Sequence, residues 1–254
     1  MKKCLWSFFV ILIVICSACQ GQKQKPIVEN LVVETAPIKL PKQEIDTSIT
    51  KDFVLGKFDY KTHQDFIKVS THHASKTLYL NKACYKAYKT MYEAAKADGI
   101  YLKIISGTRN FYEQKSIWER KWTKYANLEP KTRALKILEY SSMPSSSRHH
   151  WGTDMDLNNL NNSYFETGEG LKIYNWLLQH AKTYGFNQVY TDKQNGRTGY
   201  NLEKWHWSYM PLSKKYLNFY NENISYNDIS GFKGSEHAEA IDVIKNYVNG
   251  IYAW

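Results

Sequence analysis

The chain has 254 residues, 43% of them hydrophobic, and a net charge of +10. The charge comes mainly from lysines spread along the whole length; no dense Lys/Arg block interleaved with aromatics is present, which argues against a nucleic-acid-binding tract. Three of the 4 cysteines lie in the first nineteen residues and leave Cys84 alone in the rest, which speaks against a disulfide framework and a cysteine-type structural zinc site.

Residues 1–19 read as an export signal. Lys2 and Lys3 form a short positive region, and Leu5 to Ile15 is an apolar run too short for a comfortable membrane span. Ser17, Ala18 and Cys19 follow. A cysteine directly after a small pair at the end of such a run resembles a bacterial lipobox. That resemblance implies cleavage before Cys19, its acylation, and a chain lipid-anchored to a bacterial membrane in the cell envelope. Cys16 departs from the pattern, in which leucine is usual at that place. Residues 20–50, rich in Gln, Lys, Pro, Glu and Thr without sustained apolar period, read as a flexible tether. Residues 51–254 are enough for one domain with a single sizeable core.

Asp52 to Val69 is irregular and aromatic. Ala83, Cys84, Ala87, Tyr88, Met91, Ala94 and Ala95 recur at helical spacing within Asn81–Ala97, and Asp98-Gly99 ends that helix. Cys84, on its apolar face, reads as a buried small hydrophobe. Tyr101 to Ser106 reads as a short strand. Asn110 with Glu113 predicts a capped helix to about Tyr125, and Pro130 opens another to about Tyr140. Ser141 to Ser147 is loop and Thr153 to Leu157 a strand. Glu169 to Tyr184 reads as a helix stopped by Gly185, Tyr200 to Met210 contains a strand, and Ser235 to Asn249 is a final helix. Helices and short strands without regular βαβ alternation indicate α+β.

The densest chemistry lies in Ser147-Arg148-His149-His150-Trp151-Gly152-Thr153-Asp154-Met155-Asp156. Imidazole nitrogens and carboxylate oxygens are the ligands that hold a catalytic zinc, three from the protein with a fourth position open. His149 sits on a loop, Gly152 makes a turn, and the aspartates lie on the returning strand. Side-chain alternation puts Asp154 and Asp156 on the same side, so either could be a ligand. Farther on, Glu203 lies three residues before His206, which sits between Trp205 and Trp207. Glu203 and His206 cannot share a face of a regular strand, so joint action requires a bend. Tryptophans beside the site would exclude water and fix the imidazole. Three further segments are set aside: Ser235-Glu236-His237 with Asp242 as a helix start capped by Ser235, His72-His73 as exposed, and His150 as pointing away from the site while still able to touch substrate.

Ser147-x-His149-x-x-Gly152-x-x-x-Asp156 followed by Glu203-x-Trp205-His206 resembles the VanY-type D-alanyl-D-alanine carboxypeptidases, zinc metallopeptidases of the M15 family. Ser106-Gly107-Thr108-Arg109 with Gln114 resembles that family's upstream motif. The resemblance covers roughly residues 80–210. It implies a DD-peptidase/hedgehog-type zinc fold, a small antiparallel sheet with surrounding helices. It implies Zn2+ held by His149, Asp156 and His206, with Glu203 as general base. Arg109 would face the substrate, stabilising the oxyanion or pairing with a peptide carboxylate, and Ser147 and Gln114 would line the cleft. A carboxylate at Asp154, where the family often has an apolar residue, and Ser146 in place of a glycine are departures. The substrate class implied is peptidoglycan stem peptides, and cleavage of a D-Ala-D-Ala-type bond is the leading expectation. The alternatives are a non-catalytic cell-wall-binding zinc lipoprotein and an endopeptidase of the same fold.

Overall fold

A computed structural model describes residues 49–252. The expected export signal, Cys19 and most of the expected tether lie outside the described residues. Within them no helix is long and apolar enough to cross a membrane. Ile49 and Thr50, expected to belong to the tether, are part of the folded body: Ile49 packs on a core cluster, and the Thr50 side chain accepts a hydrogen bond from the Phe53 amide at the start of helix α1 (Lys51–Val54).

Two sheets are present. Strands β1 (Phe66–Lys68) and β2 (Tyr79–Asn81) form an antiparallel pair. Strands β3 (Ile104–Ser106), β4 (Asp154–Leu157), β5 (Phe186–Gln188) and β6 (His206–Tyr209) form an antiparallel sheet in the order β3-β4-β6-β5. The α+β expectation and the small antiparallel sheet are borne out.

The four-stranded sheet has one apolar and one polar face, as period-2 alternation dictates. Met155, Leu157, Trp207, Phe186 and Ile104 turn to the main core, against helices α2 (Lys82–Ala97) and α5 (Gly168–His180). Cys84, Tyr88, Met91 and Ala95 fill that core from α2, Ile173, Trp176 and Leu177 from α5, and all are buried. Each large apolar side chain buried there contributes roughly 1.5–3 kcal/mol of transfer free energy. Asp154, Asp156, His206 and Ser208 alternate with these residues and lie on the opposite face.

The flanking helices follow their local signals. Asn81 caps α2 through the Ala83 amide. Helix α3 (Phe111–Lys124) carries the expected reciprocal Asn110–Glu113 capping box, a device worth about 1 kcal/mol. Helix α4 (Pro130–Leu138) has its proline in the first turn. α3 and α4 enclose a second core cluster with the C-terminal segment, through Trp118, Trp122, Ile137, Phe232 and Ile241.

Helix α1 and strands β1, β2 and β5 were not expected from the sequence, and two longer stretches also depart from its reading. Helix α6 (Met210–Asn223) follows β6 directly and was not expected. The helix expected over Ser235–Asn249 is broken: Asp242 adopts φ +59°, leaving a 3-10 turn at Ser235–His237 and a π-helical turn at Ile244–Val248. Ser235 makes no side-chain cap. Its apolar positions are still used, with Ala238, Ile241 and Val248 buried.

Candidate active site

The polar face of the sheet opens into a cavity of about 640 Å³ whose lining includes Ser106, Arg109, Gln114, His149, Asp156, Tyr190, Glu203, Trp205 and His206. Two turns and the strands that follow them deliver the central groups. His149 sits on a 3-10 turn, Arg148–Trp151, just after the serine run. Gly152 then takes φ +68° and turns the chain into β4, which carries Asp156 opposite His206 on β6. Glu203 precedes β6 by a tight turn in which the His206 amide donates to the Glu203 carbonyl at 3.3 Å. That turn is the bend required for Glu203 and His206 to face one place.

His149, Asp156 and His206 are buried, and one ligand atom from each lies within 4.8 Å of the other two. His149 Nε2 is 3.5 Å and His206 Nδ1 is 3.0 Å from Asp156 Oδ1. The remaining nitrogens are occupied. His149 Nδ1 lies 2.9 Å from the Gly107 carbonyl, to which it can only donate. His206 Nε2 lies 3.0 Å from Asp154 Oδ1. Those partners leave His149 Nε2 and His206 Nδ1 turned toward Asp156, an N2O donor set of the type that holds zinc. The residues therefore fit the metal that the resemblance implies. Glu203 Oε2 is 3.7 Å from His206 Nδ1, beside the triad.

The electrostatics match. Burial opposes the charge on Asp156, yet His149 and His206 hold its carboxyl well below the usual carboxylate range. Burial also opposes charge on His206, but hydrogen bonds to Asp154 and Asp156 outweigh it and push the imidazole up to about 9. His149 is lowered by burial and then by Arg109. Glu203 is pushed up to about 8, chiefly by burial, with His206 and Arg109 opposing and Asp156 adding to the shift. A carboxyl in that range near neutral pH is suited to taking and returning a proton.

Arg109 is clamped: its Nε donates to Gln114 Oε1 at 2.9 Å and its Nη1 to the Ser106 hydroxyl. Gln114 is buried on α3, and its amide nitrogen donates to the Ser142 carbonyl at 2.7 Å. Both polar ends of Gln114 are thus used in holding Arg109 and the serine loop. Ser147 is 1% exposed and its hydroxyl has no protein partner; it lies behind the cavity wall instead of lining it as expected. His150 is fully buried, with Nδ1 donating to the Arg109 carbonyl at 2.7 Å and Nε2 accepting from the Ser145 amide at 3.2 Å. Burial pushes it down to about 3. It fixes the backbone under Arg109 and does not reach the cavity. Of the two tryptophans expected beside the metal ligands, Trp205 lines the cavity, while Trp207 faces the main core. Tyr190 packs its ring against His206, with centroids 4.5 Å apart and the two planes tilted by 37°.

Asp154, left by the sequence reading as a departure from the family pattern with no role of its own, has one here. It is completely buried behind His206, and Arg148 Nε donates to its Oδ1 at 3.0 Å. The Thr153 and Ser208 hydroxyls donate to its Oδ2 at 2.7 and 3.1 Å. Arg148 reaches Ser208 as well, at 2.7 Å, and lies over the Trp151 ring. Burial opposes the charge on Asp154, and Arg148 and His206 hold it well below the carboxylate range. The signal in the sequence was the joint presence of Arg148 and Asp154 in one motif.

The model of the VanY family, described as D-alanyl-D-alanine carboxypeptidase, matches residues 77–212. The chain is 30% identical over 138 residues to the putative carboxypeptidase YodJ of Bacillus subtilis (strain 168), a match covering 52% of this chain and 46% of that protein. It is 29% identical over 124 residues to the D-alanyl-D-alanine carboxypeptidase of Enterococcus faecalis (strain ATCC 700802 / V583), covering 48% and 45% of the two chains. The matches thus span about half the length of these relatives. Among solved structures, the LdcB LD-carboxypeptidase superposes with a TM-score of 0.51 at 24% identity, covering 72% of this chain and 80% of that one, and shares the fold. The family match takes in Arg109, His149, Asp156, Glu203 and His206 and more than half of the sequence; the chain belongs to the VanY family of D-alanyl-D-alanine carboxypeptidases.

Proposed function

We propose that this protein is a zinc-dependent carboxypeptidase that cuts the terminal D-Ala-D-Ala-type bond of peptidoglycan stem peptides. The observation that carries the reading is the convergence of His149, Asp156 and His206 in one cavity with Glu203 beside them and Arg109 on its wall. His149 Nε2, Asp156 and His206 Nδ1 would hold the metal. A bound zinc ion supplies Lewis acidity toward the scissile carbonyl and toward water. Glu203 takes the proton of the attacking water and returns it to the leaving amine. Arg109, pinned by Ser106 and Gln114, presents a planar fork to negative charge, either the developing oxyanion or the peptide's terminal carboxylate. Family membership supports the substrate class.

The test is mass spectrometry of peptidoglycan fragments after incubation with zinc-loaded protein. Loss of one terminal alanine is the expected result, and Glu203→Gln should retain zinc while losing roughly a hundredfold or more in turnover. Fragments left intact by the zinc-loaded native protein overturn the reading, and internal cleavage assigns an endopeptidase instead.

The amino-terminal pattern supports a place in the cell envelope, with the chain lipid-anchored through Cys19 to a bacterial membrane and residues 20–48 as tether. Cell fractionation tests this: the native chain should sediment with membranes and Cys19→Ser should not.

A further inference from the structure

We infer that the cleft contains a second anion subsite, built on Lys121 and flanked by Arg120 and Lys76, that takes a side-chain carboxylate of the peptide substrate in addition to its C-terminal carboxylate. This rests on the peptidase reading above and deepens it: the preferred substrate is an acidic peptide.

The subsite follows from the pitch of α3. Residues three and four apart share a helix face, and Gln114, Ile117 and Lys121 are so spaced; all three line the cavity, with Arg120 beside them. Gln114 sits at the inner end, holding Arg109. Lys121 lies two turns farther along, so the same face that pins the inner cation carries a second one outward. Lys76 reaches the cavity from the loop before β2.

Lys121 is half-buried, and its Nζ donates to the Ser141 hydroxyl. Burial lowers its affinity for the proton, with Glu203 countering. Among the described residues no carboxylate lies within 4.0 Å of Lys121, Arg120 or Lys76, although other cations, Lys51, Lys115, Arg148 and Lys204 among them, have such partners. Among the described residues Arg120 donates to Ser116 of its own helix, at 3.4 Å.

Charge balance supplies the second argument. The cavity wall carries Lys76, Arg109, Arg120 and Lys121 against Asp156 and Glu203. Both carboxylates are engaged at the metal position, and a divalent metal adds further positive charge. One peptide carboxylate can be met by Arg109, which leaves the outer cations uncompensated in a concave site where the field is focused. A lysine head that keeps a hydroxyl partner and lacks an acidic one still has donors to give to an incoming carboxylate.

The experiment compares two peptides ending in D-Ala-D-Ala that differ only in a glutamate or a glutamine in the stem. With zinc-loaded native protein the acidic peptide should show about tenfold higher kcat/KM, carried by KM, because a charge-assisted hydrogen bond is worth roughly one decade of affinity. The ratio should shrink as salt rises. Lys121→Gln should bring the ratio to near one, and Lys121→Arg should keep it. Zinc content and melting temperature check that each variant is folded, and Arg120→Gln provides a second, fully surface-placed reduction of the ratio. Equal rates for the two peptides in the native protein, or an unchanged ratio in Lys121→Gln, overturn the subsite while leaving the peptidase reading intact. If neither peptide is cut, the peptidase reading fails, and equilibrium binding of the same pair to Glu203→Gln protein still decides the subsite.

Discussion

His206 Nε2 lies 3.0 Å from Asp154 Oδ1, on the side of the ring away from the cavity. The contact decides which histidine nitrogen is free, and so which way the imidazole presents its lone pair. Asp154 is in turn locked by Arg148, Thr153 and Ser208. Loss of such an outer carboxylate typically costs ten- to a hundredfold in metal affinity. Asp154→Asn should therefore weaken zinc by about that factor. It should also cost about 3–5 kcal/mol of stability, since Arg148 is left charged and buried without its partner. Chelator competition and denaturant unfolding measure the two effects. A variant with native zinc affinity would show that His206 is oriented by its other neighbours alone.

This relationship marks the limit of what the sequence discloses. Alternation along β4 places Asp154 and Asp156 on one face, and that was legible. Which of them meets the cavity depends on cross-strand register, in which Asp156 stands opposite His206 and Asp154 opposite Ser208. Register is a tertiary quantity, and only the family pattern pointed to Asp156. Helix α6 was missed although Pro211 sits in its first turn and Tyr216 and Tyr220 are buried at helical spacing; the aromatic strand before it masked the start. The error at the C-terminal segment has the opposite cause. Its helical periodicity is real, but packing overrides it. Asp242, in the left-handed conformation, is fixed by the Tyr226 hydroxyl at 2.5 Å, and Asn246 donates from its side chain to the Ile241 carbonyl.

Zinc binding should release protons. In the metal-free protein His206 is pushed up to about 9 and Glu203 to about 8, so at neutral pH both hold a proton. A metal taking the His206 Nδ1 lone pair displaces the proton there, so affinity falls as pH drops and rises as pH approaches 9. Each proton displaced contributes a factor of about ten per pH unit. Calorimetric titrations in buffers of different ionisation enthalpy, between about pH 6 and 8, count the protons. A zinc affinity flat across that range would contradict the assignment of Nδ1 as ligand.

Arg109 and Gln114 should act as one unit. Arg109→Lys keeps the charge but loses the fork that Ser106 and Gln114 hold, and should cost on the order of 10²–10³ in kcat with zinc affinity unchanged. Gln114→Ala frees the same guanidinium from behind and leaves the Ser142 carbonyl without its donor. If Gln114 works through Arg109, the double variant should be little worse than Arg109→Lys alone, a coupling of about 1–3 kcal/mol. Additive losses in the cycle would instead mean that Gln114 touches substrate independently.

Gly152 sets the distance between His149 and Asp156, and it should be the least replaceable residue of the turn. Its φ of +68° costs an L-residue about 1–2 kcal/mol. A Cβ there would also stand 2.9 Å from the Asn81 amide nitrogen and 2.4 Å from the Phe66 ring. The ring can shift. The amide cannot do so freely, because it donates to the Gly152 carbonyl at 2.9 Å and Asn81 caps α2. Gly99 provides the control: its φ is +75°, and a methyl group at that position would meet nothing within 4 Å. Gly99→Ala should lose only the dihedral cost, a fall of roughly 2–4 °C in Tm for each kcal/mol at this domain size. Gly152→Ala should lose more than that, and should weaken zinc as well, because the turn that yields is the one joining two of the proposed ligands. Scanning calorimetry and zinc titration on the pair separate the two contributions. Equal Tm losses with native zinc affinity in both would show that the Asn81 contact gives way without moving His149 or Asp156.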